Sequence, residues 1–173
     1  FSSTPLGSFN TTRNRSETLP VPMDGAVILV TGGAVRIGRE ICLTLSDSGY
    51  TIAIHYNSSE NEASNLADII NSRGGKAACF SGDLLDQSMP AKLFEEIKQE
   101  LGPVSGVVNN ASLFNFDDIS NVSMESWNRH MHVNALSPTL LISELSRNLP
   151  SGKVGSVVNI LDQKISQPNP DYL

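Results

Sequence analysis

The segment Thr31-Gly32-Gly33-Ala34-Val35-Arg36-Ile37-Gly38 is the part of this chain best suited to hold a phosphate. The apolar run Ala26-Val27-Ile28-Leu29-Val30 precedes it, and Ile37, Ile41 and Leu45 follow at helical spacing. Strand, glycine turn, helix is the order in which a glycine motif signals dinucleotide binding. The glycines let main chain approach a pyrophosphate closely while it turns. The helix start then offers unpaired N–H groups and a partial charge of about half a unit. A phosphate-binding P-loop does not fit, because Arg39-Glu40 follow Gly38 where Lys and Ser or Thr are required. An ordinary strand-to-helix turn is the plainer alternative for this segment alone.

The nucleotide end can be read in the same way. A site that prefers NAD carries Asp or Glu about 20 residues beyond the glycine turn, accepting from the ribose 2′-hydroxyl. Here the second strand ends as His55-Tyr56-Asn57-Ser58-Ser59, with no carboxylate before Glu60. An acid would repel a 2′-phosphate, whereas Asn and Ser donors and Arg36 would accept it. NADPH is the expected cofactor. His130 and His132 are spaced i, i+2 and point to different faces of a helix, and His55 is distant in sequence. No metal site is expected.

These residues require a scaffold of alternating elements. The pattern predicts strand 26–31, helix 36–48 closed by Gly49, strand 51–56, and helix 60–73 with a Ser59/Glu62 capping box and a Gly74-Gly75 stop. It continues with strand 76–80, helix 88–101, strand 104–109, one long helix from Ser123 towards Asn148, and strand 154–161. Trp127, Met131, Leu140, Leu141 and Leu145 read as helix core or as a helix–helix interface. Such alternation implies an α/β fold, a Rossmann-type doubly wound parallel sheet in three α/β/α layers. Ligands then bind beyond the strand carboxyl ends, where the strand order reverses. The loops 31–38, 55–59, 81–84, 109–116 and 161–167 all fall at such ends.

Composition narrows the partners. The 173 residues are 39% hydrophobic, which suits one globular domain. Twelve basic and eighteen acidic residues give a net charge of −6 with no basic stripe, so neither nucleic acid nor an anionic membrane is an expected partner. No apolar run approaches the roughly 20 residues of a membrane span. Residues 1–23 read as a disordered extension, and a remnant of an organelle transit peptide is compatible with their scarcity of acids. The isolated Cys42 and Cys79 suggest free thiols in a reducing, cytoplasmic setting.

The ordered motifs resemble the short-chain dehydrogenases/reductases. They are Thr31-Gly32 with Ile37-Gly38, Gly82-Asp83-Leu84, Asn109-Asn110-Ala111, Val133-Asn134-Ala135 and Val157-Val158-Asn159-Ile160. The resemblance spans residues 24–173, which would form a partial NADP-binding Rossmann domain. The family usually has Gly at Arg36, Gly at Ser112 and Ser at Asp162; these departures resemble the pteridine reductase branch. The resemblance implies that Arg36 and Ser112 lie near the cofactor phosphates and substrate. It further implies that Asp83 and Leu84 border the adenine, and that Asn110, Ala111 and Ser112 line the cofactor. Phe114 would cover a pterin ring, Asp162 would take the catalytic carboxyl role, and the Asn134 carbonyl would hold a relay water. Read without the resemblance, Arg36 is a solvated helix-start residue, Phe114 a core residue, Asp83 an exposed turn acid and Asp162 a strand-end acid facing water.

The family's catalytic Tyr-x-x-x-Lys is expected about thirteen residues beyond Asp162, a spacing read from the resemblance, and a motif counts only in its structural context. Tyr172 lies too close to serve and no Lys follows it. The chain is therefore expected to be a fragment that lacks its carboxyl-terminal part, folds poorly alone and is inactive by itself. The parent is expected to be an NADPH-dependent reductase of a dihydropterin or dihydrofolate C=N, homo-oligomeric by resemblance. A carbonyl reductase, such as one acting on 3-oxoacyl thioesters, and a non-catalytic NADPH-binding regulator are the alternatives.

Overall fold

Alternate residues of the first strand face opposite ways, and this divides the core into two halves. In β1 (Val27–Val30), Val27 and Leu29 join one apolar cluster while Ile28 and Val30 join the other. The computed structural model describes residues 25–115, 120 and 122–162; the expected extension over 1–23 and Tyr172 lie outside these residues.

After β1 the chain runs through α1 (Arg36–Asp47), β2 (Thr51–Tyr56), α2 (Glu60–Ser72), β3 (Lys76–Ser81), α3 (Met89–Glu100) and β4 (Val104–Asn109). Then come α4 (Met124–Met131), a π-helical turn (His132–Leu136), α5 (Ser137–Asn148) and β5 (Ser156–Asn159). All the strands pair in parallel in the order β3-β2-β1-β4-β5. The order reverses between β1 and β4. The loops that leave those two neighbours therefore open side by side at one edge of the sheet.

Helices cover both faces. Cys42 of α1 and Ala63, Leu66 and Ile70 of α2 pack on Ile28, Val30, Ile52 and Ile54. Leu93, Phe94 and Ile97 of α3 and Leu141 and Leu145 of α5 pack on Val27, Leu29 and Val107. Runs buried on both faces, such as Val27–Val30, are what a central parallel strand requires. Among the described residues no helix is long and apolar enough to cross a membrane.

Four expectations change. The long helix is interrupted by the π turn, because Asn134 is a weak helix former and Pro138 lacks the N–H that an α-helix would deliver to the carbonyl of residue 134. Ser59 is the N-cap of α2, but its side chain makes no capping bond; Glu60 and Glu62 favour that end through the helix dipole instead. The fifth strand is shorter than 154–161, and its four residues are exposed. Leu141 and Leu145 are core, whereas Trp127 and Met131 are exposed on α4.

Candidate functional site

Thr31 ties the glycine turn to the loop after β4. Its N–H donates to the Val108 carbonyl at 3.0 Å. Its Oγ1 donates to the same carbonyl at 3.3 Å and accepts from the N–H groups of Asn110 and Ala111, each at 3.0 Å. Asn110 Nδ2 donates to the carbonyls of Thr31 and Gly32 at 2.9 and 3.0 Å. The Thr31 side chain is thus buried in scaffolding, and the Asn110 amide is occupied by the turn. Glycine is needed twice here. At Gly32 φ is 60° and a Cβ would stand 3.1 Å from Ala111 Cα; at Gly38 a Cβ would collide with the Gly32 carbonyl and Asn110 Nδ2.

Arg36 begins α1 with φ at 54°, the one non-glycine residue with positive φ among the described residues. That conformation costs a side-chain-bearing residue about 1–2 kcal/mol, which gives a physical reason for glycine to be usual at this place. The cost is sustained with the guanidinium exposed at the helix start. No acid lies in the first turn of α1, and Val35 supplies no side-chain cap, so the N–H groups and the dipole there are unopposed. A cleft of about 330 Å³ opens beside it, lined by Arg36, Arg39, Asn61, Glu62 and Asn65 among others. Arg39 also pairs with Glu40 at 2.9 Å. Arg39, Asn61 and Asn65 were not foreseen from sequence; the available signal was the i, i+4 spacing of Asn61 and Asn65 on α2. Ile37, expected at the cofactor, is 63% exposed.

His55, also expected to touch the cofactor, is buried instead. Its Nδ1 accepts from the Gly32 N–H at 3.3 Å and its Nε2 meets the Gly82 carbonyl at 3.1 Å. Burial lowers its pKa from 6.5 to about 4, against the opposing effects of the Gly82 hydrogen bond and Asp83. The ring is a brace between two loops, with both nitrogens engaged by protein main chain. Beyond it, Tyr56 and Ser59 are half-buried, while Asn57 and Ser58 are exposed. Asp83 is exposed and its Oδ1 accepts from the Leu85 N–H at 2.9 Å. Leu84 turns its side chain into the core, leaving only main chain for a ligand. Its carbonyl accepts from the Ser137 hydroxyl at the start of α5.

On the other side of the switch point the residues are more open. Ser112 is exposed, and Phe114 is 56% exposed, so its ring is not core. The Asn134 side chain holds this loop: Oδ1 accepts from the Leu113 N–H at 2.8 Å and Nδ2 donates to the Leu113 carbonyl at 2.9 Å. His130 helps, with Nε2 accepting from the Asn115 N–H at 3.3 Å and Nδ1 meeting the Ser126 carbonyl at 2.9 Å. Among the described residues no three His, Cys, Asp or Glu side chains gather as a metal would require. Asp162 is exposed, three residues beyond β5. Its strand leaves the sheet beside β4, with Asn109 paired to Asn159 in register and their side chains joined at 2.8 Å.

Comparison with known proteins accords with this geometry. The family described as short chain dehydrogenase matches residues 26–172. A short-chain type dehydrogenase/reductase of Picea abies is 33% identical over 158 residues, covering 87% of this chain and 58% of the relative. The FolM alternative dihydrofolate reductase 1 of Brucella canis, solved in complex with NADP, superposes with a TM-score of 0.81 at 37% identity, over 86% of this chain and 58% of that one. The landomycin C-6 ketoreductase LanV, solved with NADP and rabelomycin, gives a TM-score of 0.79 at 28% identity, over 86% and 62%. This chain spans less than two thirds of each of them.

Proposed function

The chain belongs to the short-chain dehydrogenase family, and on that premise we propose that it forms the NADPH-binding part of a reductase acting on a dihydropterin or dihydrofolate. The observation that carries the cofactor reading is Arg36, held in a strained conformation with its cation exposed at the glycine turn. The residues present fit a phosphorylated dinucleotide. Gly32 and Gly38 form a cradle that Cβ atoms would fill, and α1 presents an uncapped start. No carboxylate follows β2 until Glu60; Glu62 lines the cleft beside Arg36, and the cations of Arg36 and Arg39 there, with Asn57, Ser58 and Ser59 nearby in sequence, offset it for a 2′-phosphate. Tyr56 and Ile37 border the same loops, and Asp83 with the Leu84 main chain borders the adenine.

NADPH, when bound, supplies the hydride for the ring C=N. The protein's own residues bind, orient and handle protons. Ser112 and Phe114 line the substrate side, and the exposed Phe114 ring offers a flat face to a pterin. Asp162 acts as the carboxyl group that exchanges protons with the heterocycle. The Asn134 side chain is occupied by Leu113, so what it can offer is its main-chain carbonyl, to which Pro138 gives no N–H. A relay water at that carbonyl fits both facts. The 173 residues contain no Tyr-x-x-x-Lys, so the isolated chain is expected to show no turnover. The exposed Trp127 and Met131 support a homo-oligomer, and the free thiols of Cys42 and Cys79 support a cytoplasmic setting.

The 37% identity to the Brucella canis protein favours the pterin reading, while the likeness to LanV keeps carbonyl reduction as the second one. The deciding assay is NADPH oxidation by the natural full-length protein with dihydropterin, dihydrofolate and an acetoacetyl thioester. Pterin or folate turnover is expected, with NADPH preferred over NADH. Phe114→Ala should raise the pterin KM about tenfold, the loss of about 1.4 kcal/mol of ring contact, and leave the NADPH KM unchanged. An unchanged pterin KM, or turnover of the thioester alone, removes the pterin reading.

A further inference from the structure

Two loops that should hold the phosphates and the adenine of one dinucleotide are separate in sequence, yet one imidazole joins them. His55 lies at the end of β2 with 2% of its surface exposed. One ring nitrogen serves the Gly32 N–H of the glycine turn, and the other serves the Gly82 carbonyl beside Asp83. The main chain adds two parallel ties, from the Gly33 N–H to the His55 carbonyl at 2.9 Å and from the Gly82 N–H to the Tyr56 carbonyl at 2.9 Å. A neutral imidazole has one donor and one acceptor nitrogen. A backbone N–H on Nδ1 and a carbonyl on Nε2 therefore select the ring with its proton on Nε2.

We infer that His55 is a positioning residue for the cofactor: its neutral, Nε2-protonated ring sets the distance between the glycine turn and the loop at Gly82-Asp83, and so fixes the dinucleotide groove before the cofactor arrives. The inference rests on the NADPH reading above. Its physical content is that a backbone N–H inside a phosphate-binding turn points at the protein. Gly32 is thereby held in a left-handed conformation at φ 60°, and with the Thr31 and Gly33 N–H groups also tied to protein carbonyls, the first part of the turn is fixed before any phosphate binds. If the ring is lost, a half-buried N–H and a buried carbonyl lose their partner, and the turn is less constrained. Preorganisation of this kind acts on binding and leaves the chemical step alone.

The test uses the natural full-length protein and three variants, His55→Asn, His55→Gln and His55→Leu. An Asn amide oxygen can stand where Nδ1 stands and keep the Gly32 contact; a Gln amide reaches only towards Gly82. NADP affinity should fall at least tenfold in His55→Leu and several-fold in His55→Gln, and stay within about threefold in His55→Asn. The NADPH KM should follow the same order while kcat holds. Independently of any cofactor, nitrogen NMR of the histidines should report a neutral His55 with its proton on Nε2. A protonated ring, the other tautomer, or equal NADP affinity in the Asn and Gln variants overturns the inference. If His55→Leu does not fold, the Asn and Gln pair and the tautomer still decide. If the parent binds no NADP but the tautomer is as stated, the function reading fails and the brace is structural only.

Discussion

The two sides of the switch point are built differently. On the β1–β2 side Thr31, His55 and Asn110 cross-link three loops through buried or half-buried hydrogen bonds, and every strand is covered on both faces. On the β5 side all four strand residues are exposed, with Val157 39% and Val158 50% accessible, and Phe114 and Asp162 stand in the open. The closed side is where the proposed cofactor would sit, and its buried ties hold the main chain there in one arrangement. On the open side, β5 is the edge strand of a chain that spans 58% and 62% of the two solved relatives named above, and its exposure is that of an edge.

Core truncation gives the largest contrast. Leu93 is fully buried against β1 and β4, so Leu93→Ala should cost about 3 kcal/mol, within the usual range for a buried leucine. Val158→Ala on the exposed strand should cost about 0.5 kcal/mol, since little apolar area is covered there. Urea unfolding of both variants measures the difference, and equal costs would erase the distinction between the sides.

Acid supplies the next. His55 has its pKa lowered from 6.5 to about 4 by burial, so below pH 6.5 the unfolded chain takes up a proton that the folded chain refuses. This group therefore costs nothing above pH 6.5, and stability is lost as the pH falls towards 4. The loss is about 3 kcal/mol at the end of that window and about 2 kcal/mol by pH 5. Thermal melts between pH 7.5 and 5 should slope less in His55→Asn than in the parent. Parallel slopes would assign the acid sensitivity elsewhere.

The smallest effect is expected at Arg36. Arg36→Gly relieves the positive φ and should raise stability by about 1 kcal/mol or less. The same change removes a cation, so the preference for NADPH over NADH should fall about tenfold. A gain in stability with no change in preference would make Arg36 a strained bystander.

Much of this architecture can be read along the chain. The continuous apolar run Val27–Val30, the glycines that end α1, α2 and α3 and the repeated strand–helix alternation are local signals, and the element order follows from them. The π turn was less legible, although Pro138 announced it: a missing N–H four residues after Asn134 is a sequence fact with a helical consequence. The roles of the site side chains were harder to read. Thr31, His55 and Leu84 stand at strand ends where ligand contacts are expected, yet burial commits their side chains to the protein itself.

Residue order alone determined the alternation of strands and helices, that the turn at 31–38 can approach a phosphate, and that no carboxylate lies within residues 55–59, because each depends on near neighbours and on charge. Tertiary structure decided which polar groups remain available to a ligand. It set Asn110 against the glycine turn, Asn134 against Leu113, and His55 between Gly32 and Gly82. A hydrogen-bonding side chain can be spent on the scaffold or kept for a ligand, and the choice is made by partners 20 to 80 residues away, whose proximity exists only once the sheet has formed.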